Sequence, residues 1–116
     1  YREMYRFLKF HFYDKNPDSL KPDFHTAAYL GDLLVTCYSL HSRNRSFGNL
    51  LGKGYRVSDA KLEMNMVAEG YYAVKGMKEV LKSIPVDMPI LNIIYEVLWE
   101  NKIPKHAFKD IENLLS

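Results

Sequence analysis

Apolar side chains recur along most of this chain at the three- and four-residue spacing of an α-helix. In the first segment, Met4, Tyr5, Leu8 and Phe12 fall close together on the helix surface, and charged residues occupy the other faces. Prolines and Asx residues over residues 16–23 then interrupt the pattern, as they do in loops. The chain is therefore predicted to open with an amphipathic helix that is followed by a loop.

Residues 31–40 are compatible with two local structures. Their β-branched residues allow a short buried strand, whereas Asp32 would cap the start of a helix. No neighbouring segment offers a partner strand. We therefore predict a helix with Asp32 as its N-cap.

Capping residues and prolines predict where the later helices begin. Ser42 is a typical N-cap, and Gly52 and Gly54 mark the end of the short helix that follows it. Pro89 and Pro104 suit the first turn of a helix, where the missing N–H costs nothing. The remaining predicted helices cover residues 58–64, 68–84, 89–100 and 104 to the end.

The same spacing predicts which side chains face the core. Helix 89–100 carries so many apolar residues that we expect burial on most of its sides. Tyr71 and Tyr72 are adjacent, so they cannot both face one core. The inner residues predicted for helix 68–84 and for the last helix are Ala73, Met77, Val80, Leu81, Ile84, Ala107, Phe108, Ile111 and Leu115. Together these patterns predict a single compact all-α domain of about six or seven helices.

Length and composition agree with one globular domain over residues 1–116. The mass is 13.6 kDa, and 47% of the residues are hydrophobic and 26% are charged, which excludes a disordered tail, a collagen-like fibre and a low-complexity linker. The chain is too short for a dinucleotide-binding domain of about 150 residues together with a substrate domain. It starts at Tyr1 without an initiating Met or a signal peptide, which we interpret as a fragment of a longer protein.

Charge and cysteine content narrow the functional classes. The formal net charge of +2 is too small to indicate a nucleic-acid-binding protein. The single cysteine, Cys37, cannot form an intrachain disulfide, which fits a reducing cytoplasm. Cys37 and His41 supply two ligands at most, so we expect no metal site. No apolar run reaches the ~18 residues that a membrane-spanning helix needs.

The most informative stretch for chemistry is the polar run that begins at Ser42. Arg43 and Arg45 would lie in the first turn of the helix, where the dipole disfavours each cation by about 0.3–1 kcal/mol. Free N–H groups, the Ser42 hydroxyl, the Asn44 amide and an Arg fork all suit a phosphate. The pattern alone supports two interpretations equally: an anion site, or two Arg side chains that simply extend into water.

Two carboxylates are weaker candidates for a site. Asp32 can accept hydrogen bonds from substrate hydroxyls, although its predicted N-cap role is the simpler explanation. Glu69 lies at the predicted start of helix 68–84, where a negative charge is favourable without any ligand.

A basic patch supports a second class of function. Arg43, Arg45, Lys53 and Arg56 would form the patch. The chain would then be a non-enzymatic helical interaction domain for an acidic partner or a nucleic acid. Such binding would depend steeply on salt.

A series of short motifs resembles the C-terminal domain of the bacterial NAD(P)-dependent glycerol-3-phosphate dehydrogenases. The motifs are LGDLLVTC at 30–37, SRNRSFG at 42–48, LGKG at 51–54, MVAEG at 66–70, VDMPI at 86–90 and VL at 97–98. They agree in order and spacing over about 85 residues, and the SRNRSFG run after LGDL is highly specific. The resemblance implies the all-α C-terminal fold of the 6-phosphogluconate dehydrogenase-like superfamily.

The resemblance implies a reaction and partners as well. The parent protein is expected to interconvert dihydroxyacetone phosphate and sn-glycerol 3-phosphate with NADH or NADPH in the cytoplasm, supplying phospholipid synthesis. An N-terminal Rossmann domain would hold the cofactor, and a small-molecule phosphate would be the substrate. The oligomeric state stays open, a homodimer included. The fragment alone is expected to be inactive and to have no cofactor bound.

Site residues follow from the resemblance position by position. Asp32, Ser42, Arg43 and Asn44 match substrate-contacting positions, and Arg43, Val67 and Glu69 match cofactor-contacting positions. The family's catalytic Lys, its proton donor, lies upstream of Tyr1, so no catalytic residue is assigned here. Tyr29 stands where the family has a Gly, which affects the loop before Asp32.

Overall fold

The computed structural model is helical wherever it describes regular structure. It describes residues 1–14 and 27–116, with side chains for residues 1–12 and 30–116. The elements are α1 (Arg2–Lys9), continued by a π-helix (Phe10–Asp14), α2 (Ala27–Tyr38), α3 (Arg43–Gly52), α4 (Val57–Glu63), α5 (Glu69–Val80), α6 (Pro89–Trp99) and α7 (Pro104–Leu115). Seven α-helices and no strand within these ranges confirm the predicted all-α class. The loop predicted over 16–23 lies outside the described residues.

Helix α2 confirms the helical alternative for residues 31–40 but not its predicted start. The helix already begins at Ala27, so Asp32 lies in its middle. The prediction of Asp32 as an N-cap is wrong, because an N-cap residue lies outside the helix that it caps.

The helix starts predicted from Ser42, Pro89 and Pro104 are confirmed, and those predicted at 58 and 68 are each off by one residue. α3 begins directly after Ser42, and Pro89 and Pro104 are the first residues of α6 and α7. Gly54, at φ 96°, follows the end of α3 by two residues and adopts a left-handed backbone that glycine tolerates. These boundaries depend on local backbone chemistry, which the sequence shows directly.

Helix α5 is shorter than predicted. It ends at Val80, and the chain turns through residues 81–84. Ile84 is buried as predicted, but Ala73 and Val80 of the predicted inner stripe are exposed. Helix α5 packs against α3 and α6, and the side that carries Ala73 and Val80 is turned towards solvent.

The inner stripe predicted for the last helix is confirmed only in part. Ala107 is 3% exposed, whereas Phe108 and Leu115 are 62% and 73% exposed. Helix α7 packs on α3 and α6. The small side chain of Ala107 allows close approach to these neighbours, and the two bulkier side chains lie outside the contact.

The hydrophobic core lies where α3, α4 and α5 meet, with α6 packed against it. Its buried members are Phe47, Leu51, Ala60 and Ala68. Tyr71 packs against them while Tyr72 is 52% exposed, which confirms that the adjacent tyrosines do not share one core. Ile93 is the only buried residue of α6 and Ile94 is exposed, so the burial predicted for most sides of this helix is wrong. This core fixes the start of α5 against α3.

The start of α6 is capped from the other end of the described chain. Pro89 has no N–H, and the Glu3 carboxylate of α1 accepts hydrogen bonds from the backbone N–H groups of Ile90 and Leu91, the latter at 3.1 Å. Glu3 is only 9% exposed. Its carboxylate satisfies two helix donors and interacts favourably with the helix dipole, so Glu3 ties α1 to α6.

Candidate functional site

Helix α3 starts with a locally formed cap, as the sequence predicts. The Ser42 Oγ accepts a hydrogen bond from the backbone N–H of Arg45 at 3.3 Å. The Ser42 carbonyl accepts one from the backbone N–H of Ser46 at 3.0 Å. Ser42 therefore fixes the polar run of residues 42–45 at the start of α3.

Arg45 has a role that neither of the two sequence interpretations included. Its Nη1 donates a hydrogen bond to the carbonyl oxygen of Tyr38 at 2.7 Å. Tyr38 is the last residue of α2, and cations are favourable at the C-terminal end of a helix. The unfavourable position of Arg45 on α3 is offset by a favourable position on α2, so we assign Arg45 to structure.

Arg43 faces Glu69 where two helices begin. Arg43 is the first residue of α3 and Glu69 the first of α5, and their Nη2 and Oε1 atoms lie 3.9 Å apart. The two side chains are 46% and 83% exposed, so water screens the pair and it contributes little to stability. The Arg43 guanidinium is therefore accessible to an anionic ligand.

Asn44 joins the same two helix starts by a hydrogen bond. Its Oδ1 accepts the backbone N–H of Gly70 at 3.0 Å. Sequence reasoning missed Gly70, which lies 26 residues further along the chain. The available signal was a glycine at the second position of a helix, where helix propensity disfavours it.

A pocket of about 110 Å³ lies beside the start of α5. Its lining includes Phe47, Lys61, Met66, Val67 and Tyr71. Val67 is 54% exposed and is accessible from solvent. The Lys61 amine lies 4.5 Å from the centre of the Tyr71 ring. This mostly apolar lining suits a flat apolar group better than a phosphate.

Asp32 has no direct polar contact with this corner within the described residues. Asp32 is exposed on α2, and within the described part of the chain no hydrogen bond or ion pair joins it to Arg43 or Asn44. Tyr29 is in α2, but its side chain is not among those described. The assignment of Asp32 as a substrate contact stays a prediction.

Besides Arg43, which faces Glu69 at 3.9 Å, two cations of the predicted basic patch have closer partners within the protein. Arg56 donates two hydrogen bonds to Asp59, at 2.7 and 3.2 Å. These bonds hold the pKa of the Asp59 carboxyl below its usual value and raise the pKa of Arg56. Arg45 is engaged by the carbonyl of Tyr38. The hydrogen bonds of 2.7 Å make Arg45 and Arg56 less available to phosphates than Arg43, whose partner lies at 3.9 Å, and this disfavours a nucleic-acid surface.

The fold and the corner between α3 and α5 together define an all-helical domain with exposed polar groups where two helices begin. A hydroxyl, a guanidinium and an amide lie on three consecutive residues at the start of α3, a composition that suits anions. Over residues 1–14 and 27–116, no group of three or more His, Cys, Asp or Glu side chains could hold a metal ion. No helix in these ranges has the length and apolar character needed to cross a bilayer.

Comparisons with known proteins show the family of this domain. Residues 1–109 match the family described as NAD-dependent glycerol-3-phosphate dehydrogenase C-terminus, and the chain belongs to that family. A glycerol-3-phosphate dehydrogenase (NAD(P)+) of Oceanobacillus iheyensis is 48% identical over 84 residues, which are 72% of this chain and 24% of that protein. The protein of the same name from Staphylococcus aureus (strain JH9) is 49% identical over 82 residues, 71% of this chain and 25% of that protein.

These findings confirm the resemblance that the sequence motifs indicated. The chain spans about a quarter of the length of the curated relatives it matches. No solved structure matches it.

Proposed function

We propose that this chain is the substrate-binding domain of an enzyme that interconverts dihydroxyacetone phosphate and sn-glycerol 3-phosphate with NAD(P)H. The observation that carries the proposal is the accessible Arg43 guanidinium at the junction of α3 and α5. Substrate, product and cofactor all contain phosphate, which Arg binds through parallel N–H groups. The names of the relatives supply the reaction class.

Substrate contacts are assigned to α2 and the start of α3. Arg43 would bind the phosphate, and the Ser42 hydroxyl and the Asn44 amide would complete its hydrogen bonds. Asp32, an acceptor-only carboxylate, would accept a hydrogen bond from a substrate hydroxyl. The proposal is supported for Arg43 and Asn44 by their adjacent, exposed positions at the start of α3.

The residues near the start of α5 have chemistry that fits an NAD(P) cofactor. Arg43 offers charge to a diphosphate, and Glu69 offers an acceptor to ribose hydroxyls. Val67 offers exposed apolar surface beside the pocket. When bound, the cofactor supplies the hydride that reduces the ketone carbon. The part of this chain is to bind and orient the reacting molecules.

The proposal places the remaining machinery outside this chain. An N-terminal Rossmann domain would hold most of the cofactor, and the catalytic Lys would lie upstream of Tyr1. We place the assembly in the cytoplasm, where it would supply glycerophospholipid synthesis, and a homodimer is the oligomer to test first.

The test is a chimera in which this chain replaces the matching C-terminal domain of the Oceanobacillus iheyensis relative. We expect Arg43→Ala to lower kcat/KM for dihydroxyacetone phosphate by about 10–100-fold, since a hydrogen bond to a charged group contributes about 1.5–3 kcal/mol. Lys53→Ala removes the same charge at the other end of α3. It is expected to leave kcat/KM within about two-fold, as an exposed substitution outside the site.

Two results would contradict different parts of the proposal. Unchanged kcat/KM in an active Arg43→Ala chimera would show that the site is wrongly assigned. A folded chimera that binds NADH but leaves dihydroxyacetone phosphate unreduced would show that the reaction is wrong.

A further inference from the structure

Helix α5 receives its N-terminal cap from another helix. The residue before its first turn is Ala68, whose side chain has no hydrogen-bond acceptor. The N–H of Gly70 lies in the first turn, where backbone donors have no partner within the helix. Asn44 of α3 supplies the acceptor, with its Oδ1 at 3.0 Å. The side chain of Asn44 therefore does for α5 what an N-cap residue normally does.

Gly70 leaves the space that this cap occupies. A Cβ added at Gly70 would lie 2.9 Å from the Oδ1 and 3.1 Å from the Cγ of Asn44. Such distances are shorter than van der Waals contact, so any larger residue would push the Asn44 side chain away. Gly70 is needed here because of the approach of Asn44.

The same bond lies directly beside the charged pair at the two helix starts. Arg43 precedes Asn44, and Glu69 precedes Gly70, with 3.9 Å between the side chains of Arg43 and Glu69. Their exposed ion pair is too weak to fix this spacing alone. The bond between Asn44 and Gly70 is the specific polar contact that joins the two helix starts.

We propose that Asn44 is a positioning residue for the cofactor side of the site. By capping α5 from α3, it holds Val67 and Glu69 in place relative to Arg43. Cofactor affinity then depends on the Asn44 acceptor through the position of α5. The roles of Val67 and Glu69 rest on the proposed function, whereas the cap itself does not.

The first experiment measures the thermal unfolding of the 116-residue chain by circular dichroism. We expect Asn44→Ala to lower Tm by about 2–5 °C, as the loss of one hydrogen bond predicts for this size. Asn44→Asp keeps an acceptor at a helix start and is expected to stay within about 1 °C of wild type.

Gly70→Ala tests whether the space left by Gly70 is needed for the Asn44 side chain. Alone it is expected to lower Tm, because the new methyl group displaces Asn44. In the Asn44→Ala background it is expected to lower Tm no further, because nothing remains to be displaced and alanine favours a helix. An Asn44→Ala chain with wild-type Tm, or a Gly70→Ala loss that persists in the double variant, overturns the cap.

The second experiment titrates the chimera with NADH and follows fluorescence. Asn44→Ala and Gly70→Ala are each expected to weaken NADH binding by about 5–10-fold, and the double variant no more than Asn44→Ala alone. Glu3→Ala is the matched control, because it removes a cap from α6 and should leave the NADH Kd within about two-fold.

The outcomes separate the two proposals. Equal NADH affinity in the Asn44→Ala and Glu3→Ala chimeras overturns the positioning role while the proposed function stands. A folded wild-type chimera that does not bind NADH overturns the proposed function and the positioning role together, and the Tm series still decides the cap.

Discussion

Arg45 illustrates, at the residue scale, how a side chain that is unfavourable on its own helix is favourable on another. In the first turn of α3 its charge opposes the helix dipole. Its guanidinium instead binds the carbonyl of Tyr38 at the end of α2, seven residues earlier. The sequence gives the cost of this position, whereas the compensating partner depends on the angle between two helices.

Other residue-scale features divide in the same way. The cap by Ser42 is predictable because its partner, the N–H of Arg45, is three residues away. The cap by Asn44 acts over 26 residues and the cap by Glu3 over 87, so neither follows from spacing. The sequence shows Glu3 only as a charged residue on an amphipathic helix, and the fold shows that it contacts the start of α6.

Replacement of Glu3 is expected to destabilise the protein. Glu3→Ala leaves the N–H groups of Ile90 and Leu91 without their acceptor in a partly buried position, at a cost of about 1–3 kcal/mol. Urea unfolding followed by circular dichroism measures this loss. Glu3→Gln keeps an acceptor oxygen and should lose less.

The matched control for Glu3 is its exposed neighbour. Arg2→Ala should change the unfolding free energy by less than about 0.5 kcal/mol. If Glu3→Ala and Arg2→Ala unfold at the same urea concentration, the cap does not stabilise α6.

At the scale of the elements, Lys102 joins the two helices on either side of it. It lies between α6 and α7, and its Nζ is 2.5 Å from Glu96 and 2.8 Å from Asp110. Hydrogen bonds to these carboxylates, first that to Asp110, raise the pKa of Lys102 above its usual value. Lys102 therefore binds its proton more tightly in the folded state than in the unfolded state, so its protonation stabilises the fold.

This ion-pair cluster predicts a loss of stability at alkaline pH. Because the pKa of Lys102 is higher in the folded state, its contribution is complete below the unfolded pKa of about 10.4 and is lost as pH rises through the folded value. Lys102→Met should therefore unfold at lower urea than wild type at pH 8. The difference should shrink above about pH 11.

Lys105→Met separates this effect from general alkaline unfolding. Lys105 is exposed on α7, close to the cluster in sequence. Its substitution should leave the urea midpoint close to that of wild type at both pH values. A difference between wild type and Lys102→Met that stays constant with pH would show that the raised pKa does not contribute.

Helix starts were more predictable than helix ends and buried faces. Pro89 and Pro104 identify their starts through the missing N–H, a property of one residue. The end of α5 at Val80 and the exposure of Phe108 are set by the neighbours of each helix, which periodicity does not identify. The same limit explains the wrong N-cap prediction at Asp32. A capping residue type does not show whether the residues before it are already helical, and α2 begins at Ala27.

At the scale of the whole molecule, the sequence motifs are sufficient to indicate the family without the fold. They could do so because they record short segments in a fixed order. They could not show that Arg43 and Asn44 meet Glu69 and Gly70, because that contact depends on the packing of α3 against α5.

The division of labour in the proposed enzyme gives a further prediction. The isolated chain should not oxidise NADH in the presence of dihydroxyacetone phosphate, because it lacks the proposed catalytic Lys and the proposed Rossmann domain. NADH absorbance under conditions in which the chimera turns over measures this. Turnover by the purified 116-residue chain would contradict the proposed division.

The contact between Glu3 and α6 also has a consequence for the order of folding. It closes a loop of 87 residues, whereas the contacts of α5 with α6 and of α6 with α7 join consecutive helices. Long loops close at a greater entropic cost than short ones, so the helices after α2 should assemble first and α1 should dock late. Loss of the Glu3 carboxylate would then mainly speed unfolding and leave the folding rate nearly unchanged. The docking of α1 would therefore determine how long the domain stays folded.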